Sequence, residues 1–174
     1  PLGVMRLLEA AGVCLKGKEA TMIGCSHLVG RPLASLMRQA GATVTVCHRE
    51  TQDITAHTRK ADVVAVAAGH PGLVHGDDLK PGAVVIDVGL TPKTDENGKR
   101  HLLGDCDYES CAKAASLITP VPGGVGPMTV ASLMTNTVDA CYRQQGHPAP
   151  HWRTENVDIL SPPDGAEASR TKSA

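Results

Sequence analysis

The chain has 174 residues, a formal charge of −1, 41% hydrophobic and 20% charged residues. That is the size of one globular domain with a core of its own, and without a strong basic field it excludes nucleic acid as a partner. No apolar run approaches the roughly 20 residues that cross a bilayer, which excludes a membrane-spanning class; with 2% aromatics and no Phe, the core must be built from Val, Leu, Ile, Ala and Met.

The chain opens on Pro1-Leu2-Gly3 with no initiator Met and no signal-like stretch, as a chain entered in its middle would. Residues 4–11 predict an amphipathic helix closed by Gly12. Residues 20–24 form a short apolar strand ending in Gly24, and after a turn over 25–30, Pro32 opens a helix with an apolar stripe of Leu33, Leu36, Met37 and Ala40. Residues 43–47 are β-branched and predict the next strand. A polar, weakly helical crossover covers 52–60. Residues 62–68 and 83–88 are nearly continuous apolar runs, the signature of strands buried on both faces. The polar stretch 91–101, with Pro92 and Asn97-Gly98, reads as a loop or hairpin. Asp107 caps a helix over 108–115, and 116–119 form a last short strand.

Strand, crossover, strand, repeated this regularly, predicts an α/β fold: a doubly wound parallel sheet with helices on both faces. Domain organisation follows composition. Residues 1–146 form one nucleotide-binding domain; residues 147–174 turn to Pro, Ser, Asp, Glu and Lys and form a polar tail, with only Trp152 and the 157–160 run able to anchor it.

A rigid loop follows the last strand. Residues 118–129 carry Pro120, Pro122 and Pro127 with Gly123, Gly124 and Gly126. Proline fixes φ and glycine tolerates backbone that side chains forbid, so the run brings bare main chain up to a helix N-terminus. A tight turn is the plain reading; the length of the run favours a ligand wall. The helix beyond it, opened at Pro127, carries Val130, Leu133, Met134, Val138 and Cys141 at helical spacing, a stripe expected to face a core.

Gly24-Cys25-Ser26-His27-Leu28-Val29-Gly30 stands where a phosphate-binding turn belongs, between a strand and a helix N-terminus. Ser26 and Val29 replace the second and third glycines of the usual fingerprint, and Ser26 offers a hydroxyl to a phosphate or ribose. At the end of the next strand stand His48 and Arg49 rather than an acid. A guanidinium there suits a 2′-phosphate and hence NADP, with NAD the other possibility; a solvated surface Arg beside Glu50 is the plain alternative. His48 is either an acid–base group or, more commonly for such a residue, a hydrogen-bonded structural one. Asp87, Asp105 and Asp107 fall at strand and helix ends, as capping or loop-fixing carboxylates do. Cys14, Cys25, Cys47, Cys106, Cys111 and Cys141 lack a C-x-x-C, and His147 and His151 are separated by prolines, so free thiols and no metal site are expected.

The Pro-Gly loop, together with Gly24-x-Ser26-x-x-Val29-Gly30-x-Pro32, the strand ends at His48 and Asp87-Val88-Gly89, and Gly104-Asp105, resembles the bifunctional methylenetetrahydrofolate dehydrogenase/methenyltetrahydrofolate cyclohydrolase family over about residues 1–142. The resemblance implies a Rossmann-like cofactor domain, with Gly24, Cys25 and Ser26 along the dinucleotide phosphates, Arg49 on the 2′-phosphate and Leu90 toward the nicotinamide. It implies that Pro122, Gly123, Gly124, Val125 and Gly126 border a folate substrate, and it carries with it a homodimer; the free thiols expected here favour a cytoplasmic or mitochondrial setting. The family usually has Arg where this chain has Cys25, and its catalytic lysine lies in an N-terminal domain that precedes the matching part. No catalytic residue is assigned among these residues. Two further readings stay open: a dinucleotide-binding or dimerisation module without chemistry, and a different Rossmann dehydrogenase using His48 as its acid.

Overall fold

The computed structural model describes residues 1–96 and 98–150. Helix α1 (Leu2–Ala10) precedes strand β1 (Glu19–Ile23), which leads into α2 (Gly30–Gln39) and β2 (Thr43–Cys47). A single-turn helix α3 (Thr55–Thr58), β3 (Val63–Val66), a 3-10 turn (Gly76–Asp78) and β4 (Val84–Asp87) follow. A hairpin of β5 (Thr91–Thr94) and β6 (Arg100–Leu103), then α4 (Tyr108–Ala114), β7 (Leu117–Ile118) and α5 (Val125–Gln144), complete it. The 91–101 stretch is thus the hairpin rather than the loop of the two options, and the 147–174 tail lies outside the described residues from 151 onward.

The main sheet is parallel throughout, in the order β2-β1-β3-β4-β7. Strand order reverses at β1: β2 flanks one side, while β3 and everything after it flank the other. Parallel strands covered on both faces read as continuous hydrophobic runs, and all residues of β3 and β4 are buried. Two apolar layers sandwich them. Val4 and Leu8 of α1 and Leu33 and Met37 of α2 close one face over Met22, Ala65 and Ile86. Leu79, Cys106 and Cys111 close the other over Val64, Val66 and Val85. The expected doubly wound α/β architecture is the observed one.

The stripe on α5 is a correction. Val130, Leu133 and Met134 are 63%, 65% and 64% exposed rather than facing a core. The helix packs on α1 through a different side. There Arg6 Nη1 donates to Ser132 Oγ at 3.3 Å and Thr135 Oγ1 at 2.5 Å, and Gly3 lies flat against the Met128 main chain. Apolar spacing identifies a face that can be covered, not the element that covers it. The helix also begins two residues before Pro127, at Val125, so Pro127 sits inside the first turn, where its missing N–H is harmless.

Candidate dinucleotide site

All five main strands point their carboxyl ends toward the same edge, and a cleft of about 680 Å³ opens there across β2, β1 and β3. It is lined by Gly24, Cys25 and Ser26 after β1, His48, Arg49 and Glu50 after β2, and Ala67, Ala68, His70 and Leu73 after β3, with Ile54 below. This is the switch point of the sheet, where loops from neighbouring strands diverge and leave room for a ligand.

The β1–α2 turn is built for close approach. Gly24 has φ +104, and a Cβ there would lie 2.2 Å from Ala67 O. Gly30 opens α2 directly against Gly24, with a Cβ position only 2.0 Å from Gly24 O. Sequence spacing placed Val29 where the close-packing glycine stands in the usual fingerprint; the structure gives that task to Gly30, one residue later. Ser26 Oγ accepts from Val29 N at 3.2 Å and Gly30 N at 3.4 Å. Its lone pairs are thereby engaged and its own O–H is left to donate outward. Arg31 Nε holds the Cys25 carbonyl at 3.1 Å. The turn therefore presents a hydroxyl donor and the positive end of α2 at a place where side chains cannot intrude. That donor set fits a pyrophosphate.

On the β2 side, Arg49 reaches into solvent, 92% exposed, and Nε contacts Glu50 Oε1 at 3.1 Å. Both Nη groups stay available, and so exposed an ion pair competes weakly with an anionic ligand. His48 Nδ1 accepts from Glu50 N at 3.2 Å, and the His48 main-chain N–H donates to Thr51 Oγ1 at 3.0 Å. These bonds give His48 a structural part in its loop.

Behind the cleft, two carboxylates tie the strand-end loops together. Asp87, 4% exposed at the end of β4, accepts from Gly89 N and Asp105 N on Oδ1 at 2.9 and 3.0 Å. Its Oδ2 accepts from Cys106 N at 2.8 Å. Burial raises the Asp87 pKa above the ordinary carboxylate value, against the lowering effect of the three N–H donors. Asp105, fully buried, accepts from Ala68 N at 2.6 Å and Gly69 N at 2.9 Å on Oδ2. Asp107 caps α4, accepting from Ser110 N at 3.3 Å. The loop-fixing role expected of all three is what the structure shows.

Of the expected site residues, Gly24, Cys25, Ser26 and Arg49 line one cleft. Leu90 does not line it; it stands 62% exposed just past β4. Pro122, Gly123, Gly124, Val125 and Gly126 follow β7 in the chain and do not line the cleft; β4 stands between β7 and β3. Gly124 N donates to Pro120 O at 3.0 Å, and Val125 is buried as the first residue of α5. The sequence reading missed Ile54, Ala67, Ala68, His70 and Leu73. Their signal was present in the apolar run of β3 and the Gly69-His70-Pro71-Gly72 turn after it, but only topology shows that this loop flanks β1. Six free thiols are present: Cys47, Cys106 and Cys111 are buried, Cys14 and Cys141 are exposed, and Cys25 is intermediate at the mouth of the cleft. Among the described residues no cluster of His, Cys, Asp or Glu could hold a metal, and no helix is long and apolar enough to cross a membrane.

The chain is similar to known proteins. Residues 1–145 match the family described as tetrahydrofolate dehydrogenase/cyclohydrolase, NAD(P)-binding domain. The bifunctional protein FolD of Bordetella petrii is 55% identical over 146 residues, 84% of this chain and 48% of that protein. FolD of Aromatoleum aromaticum is 54% identical over 143 residues, 82% of this chain and 49% of its own length. Among solved structures, FolD from Campylobacter jejuni superposes with a TM-score of 0.77 at 50% identity, covering 83% of this chain and 50% of its own. The Trypanosoma brucei enzyme, solved with NADP cofactor and inhibitor, superposes with a TM-score of 0.78 at 44% identity, covering 82% of this chain and 50% of that one. The chain thus spans about half the length of the curated relatives it matches. It belongs to the tetrahydrofolate dehydrogenase/cyclohydrolase family, as its NAD(P)-binding domain.

Proposed function

We propose that this chain is the cofactor-binding part of an NADP-dependent methylenetetrahydrofolate dehydrogenase/methenyltetrahydrofolate cyclohydrolase. The enzyme would oxidise 5,10-methylenetetrahydrofolate to the methenyl form and hydrolyse that to 10-formyltetrahydrofolate. The observation that carries the reading is the cleft at the switch point, with bare glycine backbone and Ser26 on one side and Arg49 on the other. Bound NADP supplies the hydride acceptor. The chain's own residues bind and orient it: the Gly24–Gly30 packing leaves space for the pyrophosphate, Ser26 Oγ–H donates to it, and Arg49 receives the 2′-phosphate. Leu90 stands on the β4 side, toward which the nicotinamide would extend, and residues 122–126 border the folate.

In this reading residues 1–146 are the cofactor domain and the rest is an appended tail; the enzyme works as a cytoplasmic homodimer. Acid–base steps need a group within hydrogen-bond reach of the reacting atom. The part of its relatives' length that this chain does not span is where we place that group. The open apolar side of α5 supports this division, since Val130, Leu133 and Met134 would be covered by such a half.

Calorimetric titration of the chain with NADP and NAD tests the reading. Saturable binding that favours NADP is expected. Arg49→Ala should weaken NADP at least about tenfold, the scale of a lost charge-assisted phosphate contact, and leave NAD within about twofold. Equal loss for both dinucleotides would show that Arg49 does not read the phosphate.

A further inference from the structure

We propose that Asp105 is the positioning residue of the dinucleotide cleft: it fixes both ends of the 68–73 loop, the wall that stands across β1 from His48 and Arg49. The proposal rests on the dinucleotide reading and names what keeps that site in shape.

The loop has no regular structure of its own, yet Ala68, His70 and Leu73 all line the cleft. Asp105 holds it twice. Its Oδ2 accepts from Ala68 N and Gly69 N at 2.6 and 2.9 Å, and its carbonyl oxygen accepts from Leu73 N at 2.7 Å. Asp105 is itself strapped to the sheet, because its N–H donates to Asp87 Oδ1 at 3.0 Å. Gly89 shows how tightly the residue is seated: a Cβ there would lie 2.3 Å from Asp105 Cγ. One buried residue therefore sets the position of a cleft wall relative to β4, its side chain holding the Ala68–Gly69 end and its main chain the Leu73 end.

Its other oxygen argues that fold stability is not the reason for the carboxylate. Asp105 Oδ1 is buried and has no hydrogen-bond partner among the described residues. An unsatisfied buried acceptor costs stability, and so does a second carboxylate beside Asp87, whose charge Asp105 opposes. What Asp105 provides in return is local. Two consecutive main-chain N–H groups are drawn onto one oxygen, so the wall is formed before a ligand arrives. Binding then need not order it.

The test is calorimetric titration with NADP of the full chain and of Asp105→Ala, Asp105→Asn and Leu8→Ala, at a temperature where circular dichroism shows each folded. Leu8→Ala opens a cavity on the α1 face, far from the cleft, and controls for lost stability. Expected is a loss of at least about tenfold in NADP affinity for Asp105→Ala, as for a wall that must be ordered on binding. Asp105→Asn should stay within about threefold of wild type, since its carbonyl oxygen accepts from the same two N–H groups. Leu8→Ala should lower the melting temperature and leave affinity unchanged.

Affinity unchanged in Asp105→Ala, or lost equally in Leu8→Ala, overturns the proposal while the dinucleotide reading survives. Wild type that binds no NADP overturns both. Hydrogen exchange on wild type stands even if Asp105→Ala does not fold. The Ala68 and Gly69 amides should be protected in the free chain. Protection that arises only with NADP would contradict a preformed wall.

Discussion

The two ends of the sheet handle buried or half-buried acids in opposite ways. At the amino end, Asp62 precedes β3 and meets Lys80 Nζ at 2.7 Å, while its other oxygen accepts from Glu19 N at 3.0 Å. The lysine hydrogen bond, helped by that N–H, holds Asp62 below the ordinary carboxylate pKa. At the carboxyl end, Asp87 and Asp105 lie buried side by side and accept from main-chain N–H groups, and burial pushes Asp87 up. Each end also has an opening, about 400 Å³ beside Lys18, Asp62 and Lys80 and about 680 Å³ at the carboxyl end. The amino end has matched its charges and its acid favours the fold. The carboxyl end keeps acids at a cost, and what they hold in place is loop backbone around a cleft. Local cost of this kind beside a cleft is common at functional sites.

The largest effect is expected at the close glycine contact. Gly30→Ala places a methyl 2.0 Å from Gly24 O; overpacking of main chain against main chain should cost about 3 kcal/mol or more and abolish dinucleotide binding. Urea denaturation and NADP titration of the same variant measure both, and an intact affinity would mean that the turn is not the pyrophosphate site.

The pH dependence of stability sharpens the contrast between the two ends next, because the two acids have opposite signs. Asp62 has its folded pKa lowered from 3.8, so its contribution is present above 3.8 and is lost as pH falls through the folded value. Asp87 has its folded pKa raised, so its contribution is present below 3.8 and is lost as pH rises through the folded value. Urea midpoints between pH 3 and pH 7 should therefore show Lys80→Met losing a component that weakens the fold on acidification, by less than about 1 kcal/mol for so exposed a pair. Asp87→Asn should lose a component that strengthens it. The same slope change in both variants would erase the contrast.

The smallest effect belongs to α5. Leu133→Glu should change the stability of this chain by no more than about 0.5 kcal/mol, as for a surface position. A loss above about 2 kcal/mol, the scale of a buried leucine, would restore the core-facing stripe that the sequence suggested.

That stripe shows where sequence reading stops. The strands, the crossovers and the capping role of Asp107 were legible because hydrophobic runs and turn residues act locally. The close-packed glycine turn from Gly24 to Gly30 was legible for the same reason. Which side of α5 is covered depends on what α1 offers, and Arg6 reaching Ser132 and Thr135 across the fold leaves no local trace. The 68–73 wall was missed for a similar reason. Its contact with the cleft is fixed by strand order, and its link to Asp105 spans more than thirty residues of chain. Leu90 was placed by family likeness rather than by local chemistry, and it stands off the cleft that the other cofactor residues share.

The most direct measurement of the central claim is an amide-resolved NMR titration of the chain with NADP. The largest shifts should fall on Gly24, Cys25 and Ser26, on Arg49, and on Ala68 and Gly69, with the amino end from Gly12 to Lys18 and from Lys80 to Gly82 left still. Shifts concentrated around Lys18 and Lys80, or none at all, would contradict a dinucleotide site at the carboxyl end of this sheet.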